Sequence, residues 1–199
     1  MMTHASDPSN SHARRAHDGF DTLDACHHEM LQRVDELEQL VAQLEAQGVA
    51  PATRASALEI VRFFATTARE HHADEERHVF PPLVRSGDPE VVQAVLRLQQ
   101  DHSWLEEDWL ELSPHVQSVA AGYNGYDIDV LREGCTIFAA LVRDHIALEE
   151  AYIYPQARDR MPVNERREMG REMAARRRAE RAAARNAPHV THAEEPSEV

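Results

Sequence analysis

Apolar residues recur at alternating spacings of three and four positions in four segments of this 199-residue chain. This periodicity is typical of helices that bury one face, and no segment shows the alternation of a strand. Four helices with short connections predict an all-α fold, an up-down-up-down four-helix bundle, in a single domain. The four apolar stripes are Phe20, Leu23, His27, Met30, Val34, Leu37, Val41 and Leu44; Ile60, Phe64, Ala68, His71, Glu75 and Val79; Val95, Leu98, His102, Leu105, Trp109, Leu112, Val116 and Val119; and Leu131, Cys135, Phe138, Val142, His145, Glu149 and Tyr152.

Prolines and caps set the expected ends of these helices. Pro81 and Pro82 should end the second helix and Pro155 the fourth, since proline has no amide hydrogen to donate. Asp88 and Pro89 are typical of the N-cap and first turn of the third helix. The predicted divisions of the chain are a disordered tail at 1–16, the bundle at 17–157, an arginine-rich helix at 158–185 and a disordered tail at 186–199.

Charge is unevenly distributed along the chain, whose formal net charge is -14. Residues 1–157 contain 27 acidic residues and 11 arginines, whereas residues 158–185 contain 10 arginines and 5 acidic residues. An acidic body argues against nucleic acid as the main ligand, because phosphate contacts need clustered positive charge. We expect the arginine-rich helix to project as a solvated arm. Packing on the bundle, or docking to acidic partners or nucleic acid, are the alternatives.

Two cysteines and the absence of an apolar run indicate the compartment. Cys26 and Cys135 make no spaced pair and fit a reducing cytoplasm. No stretch approaches the roughly 20 apolar residues that cross a bilayer, and the N-terminus lacks the apolar segment of a secretion signal. We therefore expect a cytoplasmic protein with no membrane contact. The sequence does not determine the oligomeric state, and a monomer is favoured.

An internal repeat contains candidate metal ligands. Residues 64–81 read FATTAREHHADEERHVFP and residues 138–155 read FAALVRDHIALEEAYIYP. Their alignment pairs His71 with His145, and a glutamate follows each histidine by four positions. Residues four apart share one helix face, so such a pair can grip one cation, and imidazole with carboxylate suits divalent iron, manganese or zinc. A carboxylate on an apolar stripe is costly unless it is paired or bound to metal.

The other two helices each add a histidine to the same core. Apolar residues follow both His27 and His102 at offsets of three, seven and ten positions, whereas His28 does not reproduce this register. Four imidazoles and two carboxylates are too many ligands for one metal and suit two, with each glutamate able to bridge. The predicted metal ligands are His27, His71, Glu75, His102, His145 and Glu149.

Neighbouring polar residues have two interpretations each. His28, His72 and His78 should face solvent or lie beside the ligands, and His78 has the helical phase to line a channel. Glu76 and Glu150 are expected to be exposed or to orient a ligating histidine, with a ligand role as the alternative.

Three further residues are left open. Glu106 is expected not to be a ligand, with a ligand role on the third helix as the alternative. Tyr152 either packs in the core or places a phenol near the metals. Cys26 is expected to be a small buried residue, with redox sensing as the alternative.

The order H, HxxxE, H, HxxxE over four helices, with EExxxFP and EExxxYP after the two motifs, resembles the haemerythrin-like domain, also called the HHE cation-binding domain, over residues 18–157. The resemblance implies a four-helix bundle with an oxo- or hydroxo-bridged non-haem di-iron centre. It also implies terminal ligation by the four histidines and bridging by Glu75 and Glu149. Oxygen carriers of this family have a second histidine on the third helix at the position of Glu106, so reversible oxygen carriage is not expected.

The resemblance implies that the two irons bind or react with dioxygen, peroxide or nitric oxide in sensing, detoxification or a stress response. Catalytic turnover of peroxide or nitric oxide is an open alternative, and no separate catalytic residue is predicted. Iron storage or delivery, or repair of iron centres with labile metal, is the second hypothesis. A third treats the bundle as a scaffold for the arginine-rich segment.

Overall fold

The computed structural model describes residues 18–186, and all regular secondary structure in that range is helical. The all-α prediction is confirmed. The predicted disordered tail at 1–16 lies outside the described residues. Of the predicted tail at 186–199, residues 187–199 also lie outside them, and Asn186 is the last residue of the final helix. The elements are α1 (Gly19–Gln47), α2 (Pro51–Arg62), π1 (Phe63–Thr67), α3 (Ala68–Asp74), π2 (Glu75–Val79), α4 (Phe80–Arg85), α5 (Pro89–Ala121), α6 (Ile128–Leu148), π3 (Glu149–Ile153), α7 (Tyr154–Arg160) and α8 (Val163–Asn186), where π1 to π3 are single π-helical turns.

Continuous helical rods, rather than separate helices, are the units of the fold. The elements α2 to α4 follow one another without a break, as do α6 to α7, so the described chain contains five rods including α8. Helix α1 packs against α2 and α6, and α5 packs against the same two helices, while α8 lies on α1. All residues of the four predicted stripes are buried in this arrangement except Tyr152. No helix within residues 18–186 combines the length and apolarity needed to cross a bilayer.

Aspartates begin three of the long helices. Asp18, Asp88 and Asp127 each accept a hydrogen bond from a backbone N–H two positions later, which satisfies a donor that has no partner inside the helix. At the other end of α1 and α5, Gly48 and Gly122 have positive φ angles of 70° and 86°, a conformation that favours glycine. The predicted N-cap of the third helix is confirmed.

The prolines do not end the helices, and this prediction is wrong. Pro81 and Pro155 lie in the first turns of α4 and α7, and both rods continue through them. A π turn stands immediately before each proline, in which the amide of the residue preceding the proline bonds to a carbonyl five positions earlier. The wider turn accommodates a residue without an amide hydrogen, so the helix continues past the proline with a shifted register.

The π turn also moves the aromatic residue that faces the core. Helical spacing predicts that Tyr152, three positions after Glu149, lies on the buried stripe. Because π3 bonds at five positions, Tyr154 takes the inward position and is fully buried, while Tyr152 is only partly buried. Of the two interpretations of Tyr152, packing against the core agrees with the structure, and it is Tyr154 that places its phenol beside the predicted ligands.

The arginine-rich helix α8 packs on the bundle. Met169 and Met173 are buried in an apolar cluster together with Phe20 of α1. A Cβ atom on Gly19 would lie 2.7 Å from the Met169 side chain, so α8 approaches α1 closely because residue 19 is glycine. The prediction of a solvated arm is wrong.

Ionic contacts fix α8 beside the metal-binding helix. Asp74, which is fully buried, contacts the guanidinium groups of Arg176 and Arg177, the latter at 3.0 Å. Burial raises the pKa of Asp74, and the two arginines offset part of this effect. Asp74 precedes Glu75 in sequence, so α8 holds the helix that carries a predicted metal ligand.

Substitution of Met173 by aspartate is expected to detach α8, because an unpaired carboxylate would enter an apolar contact. Trypsin should then cleave inside α8 at least about tenfold faster than in the parent protein, since local opening exposes its arginines. Mass spectrometry of a timed digest measures this. Ala174→Asp, one position later and exposed, is the matched control, and equal cleavage of both variants would contradict the packing described.

Candidate metal centre

The six predicted ligands come together in the centre of the protein, and every one of them is buried. The centre lies between two apolar clusters, one including Met30 and Phe138 and the other including Phe20 and Tyr154. Four rods contribute to it: His27 from α1, His71 and Glu75 from α3 and π2, His102 from α5, and His145 and Glu149 from α6 and π3.

The ligand atoms form two groups that share both carboxylates. One group combines His27 and His71 with Glu75 and Glu149, and the other combines His102 and His145 with the same two glutamates. Within each group the ligand atoms lie within 4.8 Å of one another. Two histidines and two carboxylates in each group suit a divalent transition metal, so the geometry can hold two cations side by side.

Each carboxylate lies between histidines of different groups. The Oε2 atom of Glu75 is 3.4 Å from Nε2 of both His71 and His102. The Oε2 atom of Glu149 is 3.0 Å from Nε2 of His27 and 3.3 Å from Nε2 of His145. Both glutamates therefore occupy positions from which a carboxylate can bridge two cations.

Buried polar atoms without a hydrogen-bond partner are concentrated at this centre. Leaving carboxylates and imidazoles buried and unpaired is costly, and cations placed between them would remove that cost. The donor set therefore fits two divalent metal ions. The atoms concerned are both ring nitrogens of His71 and of His145, Nε2 of His102, Oε2 of Glu75 and both carboxylate oxygens of Glu149.

Two exposed glutamates orient the histidines from outside the centre. His27 donates from Nδ1 to Glu150, and His102 donates from Nδ1 to Glu76, each at 3.0 Å. These bonds place the proton on Nδ1 and direct the lone pair of Nε2 towards the buried carboxylates. Glu76 and Glu150 thus hold the orienting position that was one of their two predicted alternatives.

Asp101 is a further carboxylate that the sequence did not single out. It is buried, and its Oδ2 atom lies 3.8 Å from Nδ1 of His145. It immediately precedes His102, and the residue at the same place before His27 is Cys26, which is also buried. The sequence feature that could have indicated Asp101 is an acidic residue directly before a predicted ligand. An aspartate next to the apolar stripe of a helix is usually exposed to solvent, so this feature was not informative.

Tyr154 makes the two halves of the centre different. Its hydroxyl donates to Oε1 of Glu75 at 2.5 Å and lies 3.1 Å from Nε2 of His27, on which its ring stacks at 5.2 Å. In the first copy of the repeat the corresponding residue is Phe80, whose ring stacks on His102 at 5.6 Å. The stacking is common to both halves, whereas the hydroxyl is present in one.

Comparison with known proteins decides the family. A family model described as Hemerythrin HHE cation binding domain matches residues 18–157. The chain belongs to the haemerythrin HHE family. The resemblance found in the sequence is thereby confirmed, and with it the class of a cation-binding helical domain.

The HHE chain is also similar to several bacterial proteins. It is 30% identical over 158 residues to an uncharacterized protein of Haemophilus influenzae, a match that covers 79% of this chain and 89% of that protein. It is 29% identical over 128 residues to uncharacterized proteins of Mycobacterium tuberculosis and Mycobacterium bovis. Those matches cover 64% of this chain and 48% of the mycobacterial proteins, about half their length.

Burial and mutual repulsion set the charges of the HHE centre. Burial alone would raise the pKa of Glu75, but a hydrogen bond from His102 and the positive charge of that imidazole hold it well below its usual range in the metal-free protein. Burial and the negative charge of Glu75 raise the pKa of Glu149 well above its usual range. Burial lowers the pKa of His71 to about 3, so this imidazole is neutral and available as a ligand at neutral pH.

His72 lies beside the ligands of the HHE centre. Its ring stacks on that of His102 at 4.1 Å, and its Nε2 atom is buried without a hydrogen-bond partner. Together with His102 and His145 it forms a third group of possible ligand atoms, one that contains no carboxylate. Of the two predicted positions, solvent or beside a ligand, the second is correct.

The remaining polar neighbours lie away from the centre. His28 is exposed. His78 contacts Glu172 of α8 at 2.9 Å. Glu106 is half exposed and pairs with Arg69 at 2.7 Å, so its predicted alternative as a ligand is wrong.

Both cysteines of the HHE domain are buried, and burial raises the pKa of each to about 12. The thiols therefore stay protonated, which argues against Cys26 as a redox sensor. At pH 8 we expect the native protein to react with iodoacetamide at least about a hundredfold more slowly than the urea-unfolded chain. Mass spectrometry of alkylated protein measures this, and rapid modification of native Cys26 would contradict the burial described.

Proposed function

We propose that this HHE protein binds two iron ions and uses them to react with peroxide, dioxygen or nitric oxide. The observation that carries the proposal is that two groups of ligand atoms share both buried carboxylates. Mixed imidazole and carboxylate ligation suits iron, and the family binds cations. In this proposal the four rods around the centre are the up-down-up-down bundle of the family.

Each half of the chain has a defined part in binding. His27 and His71 would hold one ion and His102 and His145 the other, with the two buried glutamates able to contact both. Glu150 and Glu76 fix the tautomers of His27 and His102 through their Nδ1 atoms. This ligand set would supply redox chemistry through two ferrous ions, which together carry the two electrons that the reduction of one peroxide needs.

Peroxide is the reactant that the surrounding residues suit best. Its reduction breaks the O–O bond and takes up two electrons and two protons to give two molecules of water. Tyr154 keeps its proton at neutral pH, since burial and the charge of Glu75 raise its pKa well above the usual range. Its hydroxyl therefore holds a proton beside one half of the centre, where it donates to Oε1 of Glu75.

The missing fifth histidine supports reaction over reversible oxygen carriage. The position where oxygen carriers have a second histidine on the third helix is Glu106, whose carboxylate points to Arg69 at the surface. In this proposal four histidines and the two shared glutamates would hold the two ions, which would leave coordination positions open for a small ligand.

The test is anaerobic loading with ferrous iron followed by addition of hydrogen peroxide. We expect one peroxide to be consumed for about every two ferrous ions oxidised, at least about tenfold faster than by the same concentration of free ferrous iron. A ferrous-specific chromophoric chelator and a peroxide assay give both quantities. Bound iron that stays ferrous, or that leaves the protein without consuming peroxide, would contradict the proposal and favour iron storage or delivery.

A further inference from the structure

A cavity of about 700 Å³ opens between α3 and α5 beside the metal centre. One water occupies about 30 Å³ of liquid, so hydrogen peroxide, dioxygen and nitric oxide are far too small to fill it. The volume lies within the range of roughly 300–1,000 Å³ that is typical of sites for organic ligands. The cavity is therefore larger than a diatomic or hydrogen peroxide requires.

The floor of the cavity is aromatic. Phe64, Trp109 and Phe138 line it, and their ring centroids lie 4.9 to 5.8 Å from one another. Met30 and Leu105 extend this apolar wall, and all five side chains are buried in the core. Such a surface favours an aryl or branched alkyl group, because apolar contacts supply most of the affinity in sites of this kind.

The inner end of the cavity reaches the metal centre. His72 and His102 both line it, and His102 is a ligand of the second group. Nε2 of His72 is buried and has no hydrogen-bond partner. A ligand whose apolar body rests on the aromatic residues would place its polar group near these two imidazoles. Charged side chains, among them Arg69, Glu106 and Arg176, also line the cavity and would contact the more exposed part of the ligand.

We propose that this cavity binds the organic part of a hydroperoxide, R–O–O–H with R an aryl or branched alkyl group, and directs its peroxide group towards His72 and His102. The proposal rests on the proposed function for the reacting group, whereas the fit of R rests on the cavity alone. In one turnover the O–O bond breaks and R–O–H and water form. The two electrons come from the two ferrous ions, which become ferric, and two protons are taken up.

The pseudo-symmetric repeat supplies a matched pair of variants. Ala73 lines the cavity, and Ala147 is its counterpart in the second copy of the repeat. Both alanines are exposed on helices, so phenylalanine at either position adds bulk without disturbing the core. Ala65 is a second exposed alanine in the cavity wall and gives an independent variant.

Binding is tested on full-length, metal-free protein with 2-phenyl-2-propanol, the alcohol formed from cumene hydroperoxide. The chain has two tryptophans, and Trp104→Phe removes the exposed one, so that emission reports Trp109 in the cavity wall. We expect a saturable change in emission, weakened at least about tenfold by Ala73→Phe and changed less than about twofold by Ala147→Phe. An emission that does not change saturably, or binding that survives both Ala73→Phe and Ala65→Phe in folded protein, would overturn the inference.

A second measurement separates this inference from the proposed function. Iron-loaded protein should consume both cumene hydroperoxide and hydrogen peroxide, and Ala73→Phe should slow only the former, by about tenfold. If hydrogen peroxide is consumed while the alcohol does not bind, the inference fails and the proposed function stands. If the alcohol binds but neither peroxide is consumed, the proposed function and the hydroperoxide assignment both fail.

Discussion

Replacement of Glu149 by alanine is expected to abolish stoichiometric binding of both metal ions. Its Oε2 atom lies 3.0 Å from His27 and 3.3 Å from His145, so this one carboxylate serves both groups of ligand atoms. Without it each group keeps only two histidines and the shared Glu75, and the compensating charge for two cations is halved. Metal analysis after anaerobic reconstitution and desalting should fall from two ions per chain to fewer than one.

Glu150 provides the matched control for this experiment. It is the next residue, its side chain is half exposed, and it contacts only the outer nitrogen of His27. Its replacement by alanine removes an orienting hydrogen bond and is expected to weaken metal affinity by roughly 10–100-fold while both ions still bind at saturation. Retention of two ions by Glu149→Ala, or loss of both in Glu150→Ala, would contradict the bridging arrangement.

The metal-free protein is expected to lose stability as the pH falls from about 6.5 towards 3. Burial lowers the pKa of His71 to about 3 in the folded protein, against 6.5 as its ordinary value. A group whose pKa is lower in the folded protein than in the unfolded chain stabilises the fold at pH values above its unfolded pKa. This stabilisation is lost as the pH falls through the folded pKa. At about 1.4 kcal/mol per pKa unit, the difference between 6.5 and about 3 corresponds to a loss on the order of 5 kcal/mol for His71.

Urea unfolding of metal-free protein at several pH values between 7.5 and 4 measures this loss. Glu149 acts in the opposite direction, because its raised pKa gives a stabilisation that is complete at low pH and lost as the pH rises. The contribution of His71 is therefore isolated by the difference between the parent protein and His71→Leu, whose stability should depend less on pH. His28→Ala, at an exposed position, should leave the dependence unchanged. If the free energy of unfolding depended on pH in the same way in the parent protein and in His71→Leu, then His71 would not be held neutral by burial in the folded protein.

The predicted stripes and the six ligands depend on local spacing, which is why the sequence was informative there. Burial of one helix face leaves a three- and four-residue period, and all stripe residues up to Glu149 are buried as predicted. The repeat then distinguished His71 from its neighbour His72, which has a glutamate at the same offset. In the structure His71 is fully buried and belongs to the group of ligand atoms that contains both Glu75 and Glu149. His72 instead lines the cavity.

The missed features depend on departures from α-helical geometry or on contacts between distant elements. Tyr154 was missed because a π turn shifts the register after Glu149, and no periodicity of 3.6 residues reveals that shift. The proline prediction failed for the same reason. Packing of α8 needed the close approach at Gly19 and the buried charge of Asp74, two features far from α8 in sequence.

The two carboxylates that orient histidines could be predicted only in part from the sequence. Glu76 and Glu150 follow the two buried glutamates in both copies of the repeat, which marks them as equivalent. Whether each reaches a histidine on another helix depends on how the rods are placed, and the structure shows that both do, at the same distance of 3.0 Å. Asp101 has no counterpart carboxylate in the other half, so the repeat gave no indication of it.

The most direct test of the two-metal centre is metal analysis of protein that has been purified anaerobically from iron-replete cells. The shared carboxylates predict two iron ions per chain, because each group of ligand atoms holds one ion. Stoichiometric zinc, a single ion per chain, or protein without metal after iron-replete growth would contradict a two-iron centre.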